Sequence, residues 1–306
     1  MFVMTDHPPL FDLYVVVDWS ASSVPKRGAD SIWTHVTERD GAVQPPINHP
    51  TRADAREYLV GLLTVHPHQR ILVGFDMPYG YPTGFAEAAG LPGDPAWAAA
   101  WQHLVVNIDD RPDNANNRFE VASELNAAIS VGPGPFWGTT SDKHVTPSLS
   151  RTKCPGFPHG SLSEFRHAEQ ALRNASGRPA SVWQLSGAGS VGSQTLMGVP
   201  VVHALRHHPS LKSRSEIWPF ETGLTPDPVR GRRNMIIHAE VWPSSLGRPD
   251  TDRHPVKDAG QVSALSEHLA ALDERGELGP LFAPALDDDT TRAVMEEEGW
   301  IVGAVV

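Results

Sequence analysis

Leu13-Tyr-Val-Val-Val-Asp18-Trp19-Ser20-Ala-Ser-Ser-Val-Pro25-Lys26-Arg27-Gly28-Ala-Asp-Ser-Ile32-Trp33 is the stretch that decides the fold. A run of β-branched residues ends in a carboxylate, passes through Ser, Pro and Gly, and resumes in Ile and Trp. That pattern predicts a buried strand, a loop and a returning strand. Asp18 then closes the first strand at its carboxyl end. In sheets built from such runs, ligands and reacting groups collect along that edge.

The same grammar recurs downstream in Arg70-Ile-Leu-Val-Gly-Phe-Asp76-Met-Pro78-Tyr-Gly80-Tyr-Pro82, so two strands deliver carboxylates to one edge. Between them, Asp40-Gly41 predicts a hairpin turn before a short third strand. Thr51 is placed to cap a helix whose apolar residues run from Ala53 to Leu63 and which ends near His66-Pro67. Beyond Asp76, helices are expected over Pro95–Ile108 and Phe119–Ile129, with Trp97 and Trp101 sharing one face. From Val131 to about Phe165 no period survives, and loops of more than ~15 residues are usually binding segments or lids. Residues 131–180 are therefore expected to form a lid-like insertion over the carboxylate edge. Later strands are expected at Ser181–Leu185, Glu216–Glu221, Met235–Pro243 and Trp300–Val306. Helices are expected over Ser193–His208, from Lys257 to about Gly276, and over Thr290–Glu298. The whole predicts an α/β fold in which residues 1–306 form a single domain.

Composition narrows the function classes. Lys and Arg total 25 against 36 Asp and Glu, a formal charge of −11, so no general basic field draws nucleic acid. A single cysteine, Cys154, excludes an internal disulfide and a Cys-rich zinc site. With no signal pattern and no apolar run of the ~18–20 residues that span a bilayer, a cytoplasmic protein with no membrane partner is expected.

Four carboxylates stand out by position: Asp18 and Asp76 at strand ends, Glu240 within a strand, and Asp258 at a helix start. Gathered together they would repel unless a divalent cation or a proton neutralises them. Oxygen-only ligands favour magnesium or manganese, and such ions activate water for phosphoryl transfer. Aspartates at strand ends and helix starts also cap turns and helices, which is the plainer explanation for any one of them alone.

Val17-Asp18-Trp19-Ser20 with Lys26-Arg27-Gly28, Gly74-Phe75-Asp76-Met-Pro78-Tyr-Gly80, Glu240-Val-Trp-Pro243 and Lys257-Asp258, in that order, resemble domain of unknown function 429. Members of that family are described as predicted RNase H-like nucleases. The resemblance implies an RNase H-like core, a mixed five-stranded sheet flanked by helices with acidic residues at one end. It implies Asp18, Asp76, Glu240 and Asp258 as catalytic metal ligands.

Gly187-Ala-Gly189-Ser190-Val-Gly192 supplies a rival. It has the Gly-x-Gly-x-x-Gly spacing between an expected strand and helix, so it could cradle a phosphate, with Glu221 facing a ribose. A tight strand-to-helix turn accounts for it about as well. Lys26, Arg27 and Lys257 are the candidate cations for a substrate phosphate, and Arg230-Gly-Arg232-Arg233 is the one dense basic cluster. Among the 15 histidines, His159 and His238 are the better acid-base candidates, although His238 fits an interior hydrogen-bonded residue more simply.

The expected function is thus a divalent-metal-dependent phosphohydrolase or nuclease-like enzyme using Mg or Mn. Its partner would be a phosphate-containing small molecule or nucleic acid, with metal-activated water attacking the ester. The alternatives are a nucleotide- or dinucleotide-binding enzyme using the Gly187–Gly192 loop, and a non-catalytic protein that retains the fold.

Overall fold

The structure is a computed structural model describing residues 8–39, 41, 44–153, 156–175, 177–187, 189–243 and 254–304. Its centre is β1 (Leu13–Asp18), where five consecutive apolar residues leave both faces to be covered. Leu13, Val15 and Val17 enter one hydrophobic core, and Tyr14 and Val16 enter another on the opposite side. That alternation follows from the two-residue period of a strand. Each such side chain, fully buried, contributes roughly 1.5–3 kcal/mol of hydrophobic stabilisation.

Around β1 lie β2 (Ile32–Glu38), β3 (Ile47–His49), β4 (Ile71–Asp76), β5 (Ser215–Ile217) and β6 (Ile236–Glu240). The order across the sheet is β3-β2-β1-β4-β6-β5. β1–β2 and β2–β3 pair antiparallel, whereas β1–β4, β4–β6 and β6–β5 pair parallel. The chain is therefore an α/β protein with a six-stranded mixed sheet, one strand more than the five expected. At one edge lies β5, the expected Glu216–Glu221 strand cut to three residues. It stops at Ile217 instead of running to Glu221, because Pro219 has no amide to give a ladder.

One face of the sheet is covered by α1 (Arg52–Val65), α3 (Ala96–Asn107), α4 (Arg118–Ile129) and α6 (Gly192–Arg206). α2 (Phe85–Ala88) is a single turn on the same side. Thr51 caps α1 as expected, its side chain accepting from the Asp54 amide. The opposite face is covered by α5 (His167–Asn174) and α7 (Lys257–Glu274), and α7 packs across β1 and β2. Near the carboxyl terminus α8 (Asp288–Ala293) runs into a π-helical turn, Val294–Glu298, where a plain helix was expected. No helix among the described residues is long and apolar enough to cross a membrane.

Among the described residues, which leave out the last two of the expected Trp300–Val306 strand, two expected strands are absent from the sheet. Residues 181–185 form a turn with a single bridge from Gln184 to Trp137, and the carboxyl-terminal segment makes one bridge from Ile301 to Glu240. The insertion is less irregular than its sequence: it holds α5 and a 3-10 turn at Asp142–His144. Phe136, Leu149 and Leu162 anchor it in the core, and Trp183 lies 5.0 Å from Phe136 and 5.4 Å from Tyr81 between ring centroids. Asp40 of the expected hairpin turn and Cys154 lie outside the described residues.

Candidate active site at the carboxyl edge of the sheet

Asp18 and Asp76 are direct register partners at the ends of β1 and β4. Neighbouring strands run about 4.8 Å apart and directly opposed residues share a face, so the two carboxylates emerge side by side. Continuing the phase of Tyr14 and Val16, they emerge on the face that α7 covers. Both are partly exposed, and neither makes a hydrogen bond or ion pair with any described residue. Burial pushes the Asp18 carboxyl well above the usual carboxylate range. The charges of Asp76, Asp258 and Asp30 push the same way, while Lys257 pulls it down. Burial, Glu240 and Asp258 likewise raise Asp76 to about 7. Two neighbouring acids without a basic partner need a proton or a cation between them.

Asp258 belongs to the same group. It lies in the first turn of α7, which carries it to the ends of the strands that α7 crosses. Its Oδ2 accepts a hydrogen bond from the Asp30 amide at 2.7 Å. Asp30 takes a left-handed backbone (φ 52°), and its carbonyl accepts from Ser20 Oγ at 3.1 Å. The loop leaving Asp18 is thereby folded back onto the start of α7.

Glu240 is held differently. It pairs with Phe75, one residue out of phase with Asp76. Its carboxylate is 2 % exposed and accepts from Arg166 Nη1 (2.8 Å), Arg166 Nη2 (2.6 Å) and the Tyr79 amide (2.9 Å). Burial raises it to about 7 against the pull of Arg166. Arg166, fully buried, also grips Glu169 and donates to the Glu298 carbonyl at 2.8 Å. Glu298 accepts from the Thr83 amide (2.8 Å) and from His167 Nδ1 (2.8 Å), and Glu297 accepts from the amides of Gly84 and Ala86, each at 2.7 Å. These hydrogen bonds hold Glu298 below, and His167 above, their usual ranges. The network fastens the segment after β4 to the insertion and to the π-helical turn. At Gly80 the approach is so close that a Cβ would lie 2.2 Å from the Glu297 carbonyl oxygen.

A cleft of ≈ 30 Å³ separates Asp76 from Glu240, walled by Glu169 and Ala180 of the insertion and by Val191 just before α6. That volume admits an ion or a water, not a substrate group. Among the described residues no three His, Cys, Asp or Glu form a ready-made metal shell. Magnesium does not require one, since it keeps several waters and is bound through one or two carboxylates plus substrate phosphates. The unpartnered pair Asp18 and Asp76 fits that mode.

Two of the three expected phosphate cations, Lys26 and Arg27, are otherwise engaged. Lys26 Nζ pairs with Asp30 Oδ2 at 3.1 Å, and Arg27 Nη1 donates to the Asn48 carbonyl at 2.9 Å. Lys257 is exposed, and it is the cation that draws on Asp18. Of the basic cluster, Arg232 pairs with Glu216 at 2.6 Å. In the glycine loop, Gly187 and Gly189 take left-handed backbones (φ 106° and 71°), and Ser190 donates its amide to the Gly187 carbonyl at 3.1 Å. A Cβ on Gly192 would lie 2.3 Å from the Val182 carbonyl oxygen, so this glycine serves a tight turn into α6. No sheet strand precedes it, and Glu221 is bound by Arg206 at 2.7 and 2.8 Å. The strand-loop-helix setting of a dinucleotide site is missing. His238 is fully buried beside Ser215 Oγ (2.7 Å), with burial pushing it down to about 3, and His159 pairs with Ser130 Oγ at 2.8 Å. Neither has the setting of an acid-base catalyst.

No family model, no curated protein and no solved structure matches the chain.

Proposed function

We propose that the chain is a divalent-metal-dependent hydrolase of phosphate esters, nuclease-like in its chemistry. One observation carries the reading: two partly exposed aspartates stand in register on adjacent parallel strands, with no basic partner in contact among the described residues, the ionisation of Asp18 opposed by burial and Asp76, that of Asp76 by burial and Glu240, and both by Asp258. Five of the strands, β3-β2-β1-β4-β6, form a mixed sheet with these acids at one end, which supports the RNase H-like reading.

Asp18 and Asp76 would hold magnesium or manganese. Such an ion, when bound, supplies charge stabilisation at a phosphoryl oxygen and lowers the pKa of water. Asp258, fixed by the Asp30 amide, orients water on the α7 side. Glu240 keeps the edge in shape through Arg166 and Tyr79. Lys257 is placed to draw a phosphate toward the acids, an attraction that ionic strength would weaken.

The test is hydrolysis of a chromogenic phosphodiester with manganese present. Asp18→Asn and Asp76→Asn should each lower kcat by at least about a hundredfold, with melting temperature kept or raised. Activity in either variant equal to that of the unaltered protein, or no manganese-dependent activity at all, would sink the proposal.

A further inference from the structure

Arg118 stands at the start of α4 and is 6 % exposed. Its Nε donates to Ser193 Oγ (3.0 Å) in the first turn of α6, and its Nη1 donates to Ser23 Oγ (2.8 Å) and Asn116 Oδ1 (2.7 Å). All three acceptors are neutral. No described carboxylate pairs with it. The adjacent cation, Arg52, differs in this respect, since Asp110 neutralises it through a two-pronged pair at 2.8 and 2.6 Å. Burial first, and the Arg52 charge second, push Arg118 down to about 10. Glu120 pulls the other way and the Phe119 ring lies 4.3 Å from the guanidinium, but without an ion pair a buried guanidinium beside another cation is costly to keep charged. Its Nη2 makes no hydrogen bond and is not sealed from solvent. Ser23, which accepts from Nη1, is exposed.

We propose that Arg118 is the seat of an anion subsite for a phosphate group, formed with Ser23 beside the first turn of α6. Arg118 supplies the charge and a free donor at Nη2, and the Ser23 hydroxyl, which accepts from Nη1, keeps its own proton to donate. A guanidinium suits the planar, two-point recognition of phosphate oxygens. The location is on the working edge: five residues separate Asp18 from Ser23, a span of at most about 18 Å. α6 touches the same loop, with Gln194 Nε2 donating to the Trp19 carbonyl at 2.6 Å. Lys26 and Arg27 are engaged elsewhere and Lys257 lies on the Asp18 side, so Arg118 is the described cation that could hold a phosphate beside the first turn of α6. The choice of phosphate as the anion rests on the phosphate-ester reading above.

Titration with inorganic phosphate in EDTA-containing buffer, at ionic strength matched with chloride and followed by calorimetry and melting temperature, tests the subsite. The unaltered protein should bind phosphate, and Arg118→Gln should weaken that binding at least about tenfold, the scale of one charged hydrogen bond. Ser23→Asp serves as a second variant on an exposed position. It places an acid against Arg118 and should abolish phosphate binding while raising the melting temperature in phosphate-free buffer. Asp18→Asn should bind phosphate at least as tightly as the unaltered protein. A guanidinium that is only a strut would lower the melting temperature equally with and without phosphate. That result, or no phosphate binding by the unaltered protein, or unchanged binding in Ser23→Asp, overturns the subsite. Loss of metal binding with phosphate binding intact would instead overturn the hydrolase reading alone.

Discussion

Asp76→Asn should stabilise the metal-free protein, increasingly so as pH rises from the unfolded value of 3.8 to about 7 and by a constant amount above that. In the folded state Asp76 lies at about 7, whereas an unfolded aspartate lies near its ordinary value of 3.8. The folded state therefore binds the extra proton between those values. Its contribution to stability is complete below the unfolded pKa and falls away as pH rises through the folded one. A rise of that size corresponds to about 4 kcal/mol, and partial exposure at the strand end trims this to roughly 2–4 kcal/mol. Asparagine has nearly the same shape and no charge, so it escapes the cost of burying a charge and the repulsion from Glu240 and Asp258. In urea denaturation with EDTA, the gap between the variant and the unaltered protein should be smallest near the unfolded value of 3.8 and should widen steadily as pH rises toward about 7. At pH 8 the variant should be the more stable by that amount. Manganese at pH 8 should narrow the gap by stabilising only the unaltered protein. Equal stabilities at pH 8, or a variant less stable there, would refute the claim that these acids face each other without a basic partner.

Removing the Arg166 guanidinium by Arg166→Met leaves Glu169 and Glu240 buried without their counter-ion, and urea denaturation should show a loss of about 3–5 kcal/mol; a loss below about 1 kcal/mol would mean that the pair is not buried as described. Gly80→Ala drives a Cβ into the Glu297 and Glu298 carbonyls, so it should lower stability by about 1–3 kcal/mol, and a neutral outcome would contradict that close approach. The His167 imidazole should titrate above 6.5 by NMR and shift down in Glu298→Gln; an unchanged midpoint would show that the two side chains do not meet.

The parts of the fold that follow from periodicity were legible in the chain. Val15 and Val17 alternating with Tyr14 and Val16 specify a doubly buried strand, and the repeat of that grammar before Asp76 places a second strand beside it. Asp18 and Asp76 follow from those two strands, because a register that pairs Val17 with Phe75 must also pair the aspartates. Glu240 shows where such reading stops. Its position in β6 is visible in the sequence, but its partner Arg166 comes from an insertion without a period, 74 residues away in the chain. A two-pronged ion pair of that kind leaves no local pattern. Arg118 was missed for a related reason, since its lack of an ion pair with any described carboxylate is a property of the packed interior. The glycine loop misled in the opposite direction, because the spacing Gly187-Gly189-Gly192 arises from backbone crowding at Gly192. β5 was anticipated too long because Pro219 ends its ladder, and the segment after Trp300 makes a single bridge where a full strand was expected.

Manganese binding, measured by calorimetry on the unaltered protein, Asp18→Asn and Asp76→Asn, tests the central claim most directly. The account predicts binding by the unaltered protein that is lost or weakened by at least about tenfold in each variant, with Glu240→Gln affected through stability more than through affinity. Binding by Asp18→Asn and Asp76→Asn as tight as that of the unaltered protein, or no manganese binding by any of them, would contradict it.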